Sequence, residues 1–108
     1  MIIEITPDKF EEAVSDHKAV LVDFWAPWCG PCQRLAPVLL DLSRKYPKLA
    51  ILKVDVDEHP DFATKMNIMG VPTLWGYIEG ERVKVVVGAS GNLKDQFIDV
   101  LLASEEED

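Results

Sequence analysis

The chain of 108 residues holds only two cysteines. A secreted domain stapled by disulfides would carry more of them, more widely spaced. Cys29 and Cys32 are two residues apart, and a bond between them would close too small a loop to constrain the unfolded chain much. Basic charge is also scarce: 11 Lys and Arg are scattered among 19 Asp and Glu, giving a net charge of -8. Phosphate backbones need clustered cations, so nucleic acid is excluded as a partner. No run approaches the roughly 18 apolar residues of a membrane span. The start, Met1 to Ile5, is short, contains Glu4 and lacks the basic n-region of a signal peptide. The expected location is therefore the cytoplasm, with no membrane partner. No Gly-x-Gly-x-x-Gly follows a strand, so no nicotinamide or flavin site is expected and the cofactor expectation is none.

No repeat, low-complexity linker or composition break divides the sequence. A single domain is expected over 1–108, with residues 104–108 as an acidic tail. Hydrophobic residues make up 48% and charged residues 28%, enough for a packed core at this length. No large apolar stripe is left over, which predicts a monomer.

The order of elements sets the fold class. Residues 2–5 read as a short edge strand. Thr6 and Pro7 fit a helix N-cap and first position, with Phe10, Ala13 and Val14 on one face. Ala19 to Trp25 is an apolar run broken only by Asp23, as in a strand covered on both faces. After Pro31, Leu35, Val38, Leu39, Leu42 and Tyr46 fall at helical spacing, with Pro37 inside to kink the helix. Residues 49–56 read as the next strand, and strand–helix–strand predicts a parallel pair with a right-handed crossover. A short helix at 61–66 follows. Strands at 73–78 and 82–88 are joined by a hairpin at Glu79-Gly80-Glu81. Asn92 caps a last helix that turns Leu93, Phe97, Val100 and Leu101 inward. The class is α/β: a central mixed β-sheet flanked by helices on both faces.

Trp28-Cys29-Gly30-Pro31-Cys32 lies between a buried strand and the start of an amphipathic helix. A helix N-terminus presents unpaired N–H groups and about half a positive charge, which favours thiolate over thiol. Cys29 is the natural nucleophile. Cys32, one turn along and expected to be the more buried, fits a resolving thiol. Gly30 and Pro31 shape the turn. A zinc site would need two further ligands, and His17 and His59 stand isolated in sequence, so no metal is expected. Asp23, six residues before Cys29, is costly in an apolar strand unless paired or neutral. Burial would raise its pKa and suit it to shuttle a proton for the resolving thiol; the plainer alternative is a carboxylate that caps a turn. Lys53 on the following strand is a candidate electrostatic partner, or a lysine that merely snorkels.

The run Val22-Asp23-Phe24-Trp25-Ala26-Pro27-Trp28-Cys29-Gly30-Pro31-Cys32 resembles the active-site segment of the thioredoxin family. Agreement continues through Ala36-Pro37, Lys53-Val54-Asp55, Gly70-Val71-Pro72-Thr73, Gly80 and Gly88. The resemblance implies a thioredoxin fold and a cis Val71–Pro72 bond facing the disulfide, with the Val71 backbone pairing to a substrate strand. It also implies that Trp28, Gly88 and Ala89 border the docking groove and that Trp25 packs on the active-site loop. Gln33, Pro27, Trp75-Gly76 and Met69 depart from the family pattern. The activity implied is protein-disulfide reduction, with disulfide-containing proteins as substrates and a separate thioredoxin reductase as electron donor. A disulfide oxidant or isomerase shares the fold, but Gly-Pro between the cysteines resembles the reducing branch. A peptide-binding scaffold with incidental thiols is the remaining alternative.

Overall fold

The computed structural model describes residues 1–106, so the last two acidic residues of the expected tail lie outside the described residues. Five strands form one sheet in the order β1-β3-β2-β4-β5. They are β1 (Ile2–Glu4), β2 (Ala19–Trp25), β3 (Ala50–Asp55), β4 (Thr73–Ile78) and β5 (Glu81–Val87). β1, β3 and β2 run parallel, whereas β4 and β5 add antiparallel. The helices are α1 (Phe10–Ser15), α2 (Gly30–Lys45), α3 (Pro60–Lys65), α4 (Leu93–Gln96) and α5 (Ile98–Glu105).

The alternation of β2 explains the two layers. Ala19 and Leu21 face a core shared with Leu35, Leu39, Leu42 and Tyr46 of α2 and with Phe97, Val100 and Leu101. Val20, Val22 and Phe24 face the other core, where Phe10, Val14 and Trp75 pack with Phe62 of α3. Side chains on a strand point alternately to opposite faces, so an apolar run covered on both sides must be central. Phe24 and Phe97 are fully buried, and emptying either site costs about 3–5 kcal/mol.

Local expectations differ from the structure at four places. Thr6 does not cap a backbone amide. Its hydroxyl donates to the Asp8 carboxylate, and Pro7–Lys9 forms a 3-10 turn before α1. Val38 is exposed, because Leu35, Leu39, Leu42 and Tyr46 already complete the buried stripe. The last helix is two pieces, broken at the buried Phe97 (φ -115°, ψ 22°); the Asn92 cap holds, accepting from the Asp95 N–H at 3.3 Å. The tail expected over 104–108 overlaps α5, which runs through Glu105 and buries Ser104. The hairpin needs only Glu79 (φ 51°) and Gly80 (φ 81°) as its loop, the two-residue turn with positive φ that matches strand twist.

Gly76 has a packing reason. A Cβ there would sit 2.8 Å from Val100 Cγ2 and 3.0 Å from Phe97 Cδ1, so its bare backbone lets the helix at the C-terminus lie flat on β4.

Candidate functional site

β2 ends at Trp25, and the chain turns through Ala26 before α2 begins. The Cys29 N–H donates to the Ala26 carbonyl at 3.2 Å. The side-chain amide of Gln33 donates to the Pro27 carbonyl at 2.8 Å and ties the loop to the first turn of α2. Nothing in the local sequence pattern pointed to this contact, since its partners are six residues apart and one is a backbone carbonyl.

Cys29 is the N-cap of α2, and its Sγ accepts the Cys32 N–H at 3.1 Å. Sulfur thus occupies the place a serine or aspartate oxygen takes at an ordinary cap, and the sixteen-residue helix aims its positive end at it. Cys29 and Cys32 are joined as a disulfide with Cα atoms 5.2 Å apart. The expected contrast in burial is not seen in this oxidised pair, at 3% exposure for Cys29 and 4% for Cys32. Both cysteines belong to one buried cluster with Ala26, and Trp25, Val56 and Val71 pack against it. Val56 had not been singled out from sequence.

Asp23 lies on β2 on the same face as Leu21, the side that α2 covers, and is 1% exposed. Its backbone register neighbours are Lys53 on β3 and Leu74 on β4. Asp23 Oδ1 has no hydrogen-bond partner. Burial lifts its pKa from 3.8 to about 7; the Lys53 ammonium opposes that rise and the Glu4 carboxylate adds to it. A buried acid with a midpoint near neutrality can both accept and return a proton under ordinary conditions. Lys53 Nζ leans toward the disulfide end of the sheet, 4.5 Å from the centroid of the Trp25 ring.

Two clefts flank the buried disulfide. Val71–Pro72 is cis, as the resemblance implied. Gly88 (φ 93°) donates its N–H to the Pro72 carbonyl at 2.8 Å, which fixes the β5 end beside that bond. A cleft of about 560 Å³ runs from Pro31 and Arg34 to Gly88 and Ala89. A second, of about 260 Å³, lies between Trp28, Met69, Gly70 and Val71. Trp28 is 69% exposed and Met69 90%, so two large apolar side chains stand free at this rim. In the sequence Met69 stands out only as a departure from the family pattern. Among the described residues no group of three or more His, Cys, Asp or Glu is placed to hold a metal ion.

Comparison with known proteins shows the family and the fold. The profile of the family described as Thioredoxin matches residues 1–102. The chain is 48% identical over 88 residues to the thioredoxin of Staphylococcus haemolyticus, covering 81% of this chain and 84% of that one. It is 47% identical over 81 residues to thioredoxin-2 of Pyricularia oryzae, covering 75% of this chain but 47% of that longer protein. A solved thioredoxin structure from Plasmodium falciparum superposes with a TM-score of 0.80 at 37% identity, covering 92% of this chain and 97% of that one.

Proposed function

The chain belongs to the thioredoxin family and is a thiol–disulfide oxidoreductase; from that premise we propose how its own side chains divide the reaction. The Cys29 thiolate attacks one sulfur of a substrate disulfide. A mixed disulfide forms, and the other substrate sulfur leaves as a thiolate that takes a proton from water. Cys32 then gives its proton to the Asp23 carboxylate and attacks Cys29 Sγ as a thiolate, and the second substrate sulfur leaves as a thiolate that takes a proton from water. Two electrons pass from the dithiol to the substrate, and the Cys29–Cys32 disulfide remains for a thioredoxin reductase to reduce. Cys32 sits one turn from Cys29, so resolution is intramolecular and gains the advantage of proximity.

The observation that carries this reading is the capping contact. Cys29 Sγ accepts the Cys32 N–H at 3.1 Å at the positive end of α2, an environment that stabilises sulfur as an anion. Gly30 and Pro31 hold that turn. The Val71 backbone beside Pro72 pairs with the substrate strand, while Trp28 on one side and Gly88 and Ala89 on the other border its path. Lys53 acts as the electrostatic partner of Asp23. The substrates in this reading are disulfide-bearing proteins, not nucleic acids or membranes. No helix among the described residues is long and apolar enough to cross a membrane. The protein works as a cytoplasmic monomer of one domain over 1–108, supported by the Gly30-Pro31 pair of the reducing branch and by a net charge of -8 that opposes self-association.

The test is a pair of variants. Cys29→Ser should abolish reduction of a protein disulfide. Cys32→Ser should accumulate a covalent adduct on Cys29 visible by mass spectrometry. Full activity in the first, or no adduct in the second, would end this division of roles.

A further inference from the structure

The backbone register places Glu4 of β1 beside Lys53 of β3, and Lys53 beside Asp23 of β2. Side chains in register on neighbouring strands share a face and lie about 5 Å apart at Cβ. The three charges therefore form one row across the sheet, from the exposed Glu4 at the edge, through the half-buried Lys53, to the buried Asp23. The backbones of Glu4 and Asp23 flank that of Lys53, two strand spacings of about 4.8 Å apart, and the Lys53 ammonium lies 4.5 Å from the centroid of the Trp25 ring. Asp23 Oδ1 accepts no hydrogen bond, so the lysine is not tied to that oxygen.

We propose that Glu4 is a positioning residue for the buried carboxylate: it competes with Asp23 for the Lys53 ammonium and so sets how tightly Asp23 holds its proton. Among the described residues, the other elements packed around Asp23 bring no rival charge. β4 offers Leu74 in register. α2 contributes Cys29 and Cys32, joined in the oxidised form. The inward side chains of α5 are Val100, Leu101, Ala103 and Ser104. The direction is fixed by charge. A carboxylate on the far side of Lys53 draws the ammonium away and repels a second negative charge, so Glu4 favours the neutral form of Asp23. The Glu4 carboxylate raising the Asp23 pKa and the Lys53 ammonium lowering it agree with this order.

Glu4 can be changed without touching the core, because it is exposed on an edge strand. The Asp23 carboxyl is followed by carbon-13 NMR as pH is raised through neutrality, in the oxidised form where no thiol titrates. Glu4→Gln should lower the Asp23 midpoint by a few tenths of a pH unit, and Lys53→Gln should raise it. The Glu4→Gln effect should be smaller in the Lys53→Gln background, because part of it runs through the lysine. It should also shrink at high ionic strength, since Glu4 is in contact with solvent. An unchanged midpoint in Glu4→Gln, or one that rises, overturns the proposal.

The consequence for rate rests on the reading of Asp23 as the proton relay, and it separates from the proposal itself. If the midpoint moves and the pH profile of mixed-disulfide resolution moves with it, both stand. If the midpoint moves alone, the role of Glu4 holds and the relay fails.

Discussion

Asp23→Asn should make the oxidised protein more stable at alkaline pH than at acid pH, relative to the unchanged chain. In the folded state the carboxyl is 1% exposed and its pKa rises from 3.8 to about 7. The folded protein thus binds a proton that the unfolded chain has released between those values, so Asp23 lowers stability as pH climbs through that window. Below 3.8 both states are protonated and nothing is lost. Above about 7 the loss is complete, and a difference of about three pKa units corresponds to about 4 kcal/mol. At pH 5.0 less than half of it has developed. Asparagine removes the titration and keeps the shape, and its own packing cost is the same at every pH. Urea unfolding of both proteins at pH 5.0 and 8.5 isolates the effect, with Cys29 and Cys32 kept as a disulfide. The stability difference, variant minus parent, should grow by about 2 to 3 kcal/mol between the two pH values. An equal difference at both would mean that the folded carboxyl titrates near its ordinary value, and the proton-relay argument would lose its basis.

Other outcomes test the packing and the rim. Gly76→Ala puts a methyl 2.8 Å from Val100 Cγ2, and overpacking of this kind should cost about 1–3 kcal/mol, seen as a lower urea midpoint. Met69→Glu replaces a 90% exposed apolar side chain beside Trp28 with charge. It should raise KM for a protein disulfide about tenfold, equivalent to about 1.4 kcal/mol, with kcat unchanged; a fall in kcat alone would refute its place in docking. Asn92→Ala removes the side-chain cap of α4 and should cost about 1 kcal/mol in the same unfolding assay.

Much of this was legible because strong local signals agreed with one another. Asp23 inside an otherwise apolar strand, a proline after Gly30 and the alternation of elements led to the buried carboxylate, the helix start and the mixed sheet. The ends of β3, α3 and β5 fell within about one residue of expectation, the usual uncertainty of element boundaries. What escaped was tertiary. Phe97 carried the periodicity of a continuous helix, yet its burial against β4 broke that helix in two. Trp75-Gly76 read as an interruption until Phe97 and Val100 were seen to occupy the space a side chain would need. Glu4 carries no site signal in the sequence, because only strand register places it in line with Lys53 and Asp23. The similar burial of the two cysteines goes with a cluster that includes Val56 and Val71, which are remote in sequence from the motif they pack against.

The central claim is that Cys29 and Cys32 form a couple poised to donate electrons to other disulfides. Equilibration of the protein against defined thiol–disulfide buffers, with the oxidised fraction read by alkylation and mass, measures this directly. The reduction potential should be more negative than the roughly -220 to -260 mV of an extracted cytosolic glutathione pool. A value near -120 to -180 mV, the range of dedicated oxidants and isomerases, would contradict it.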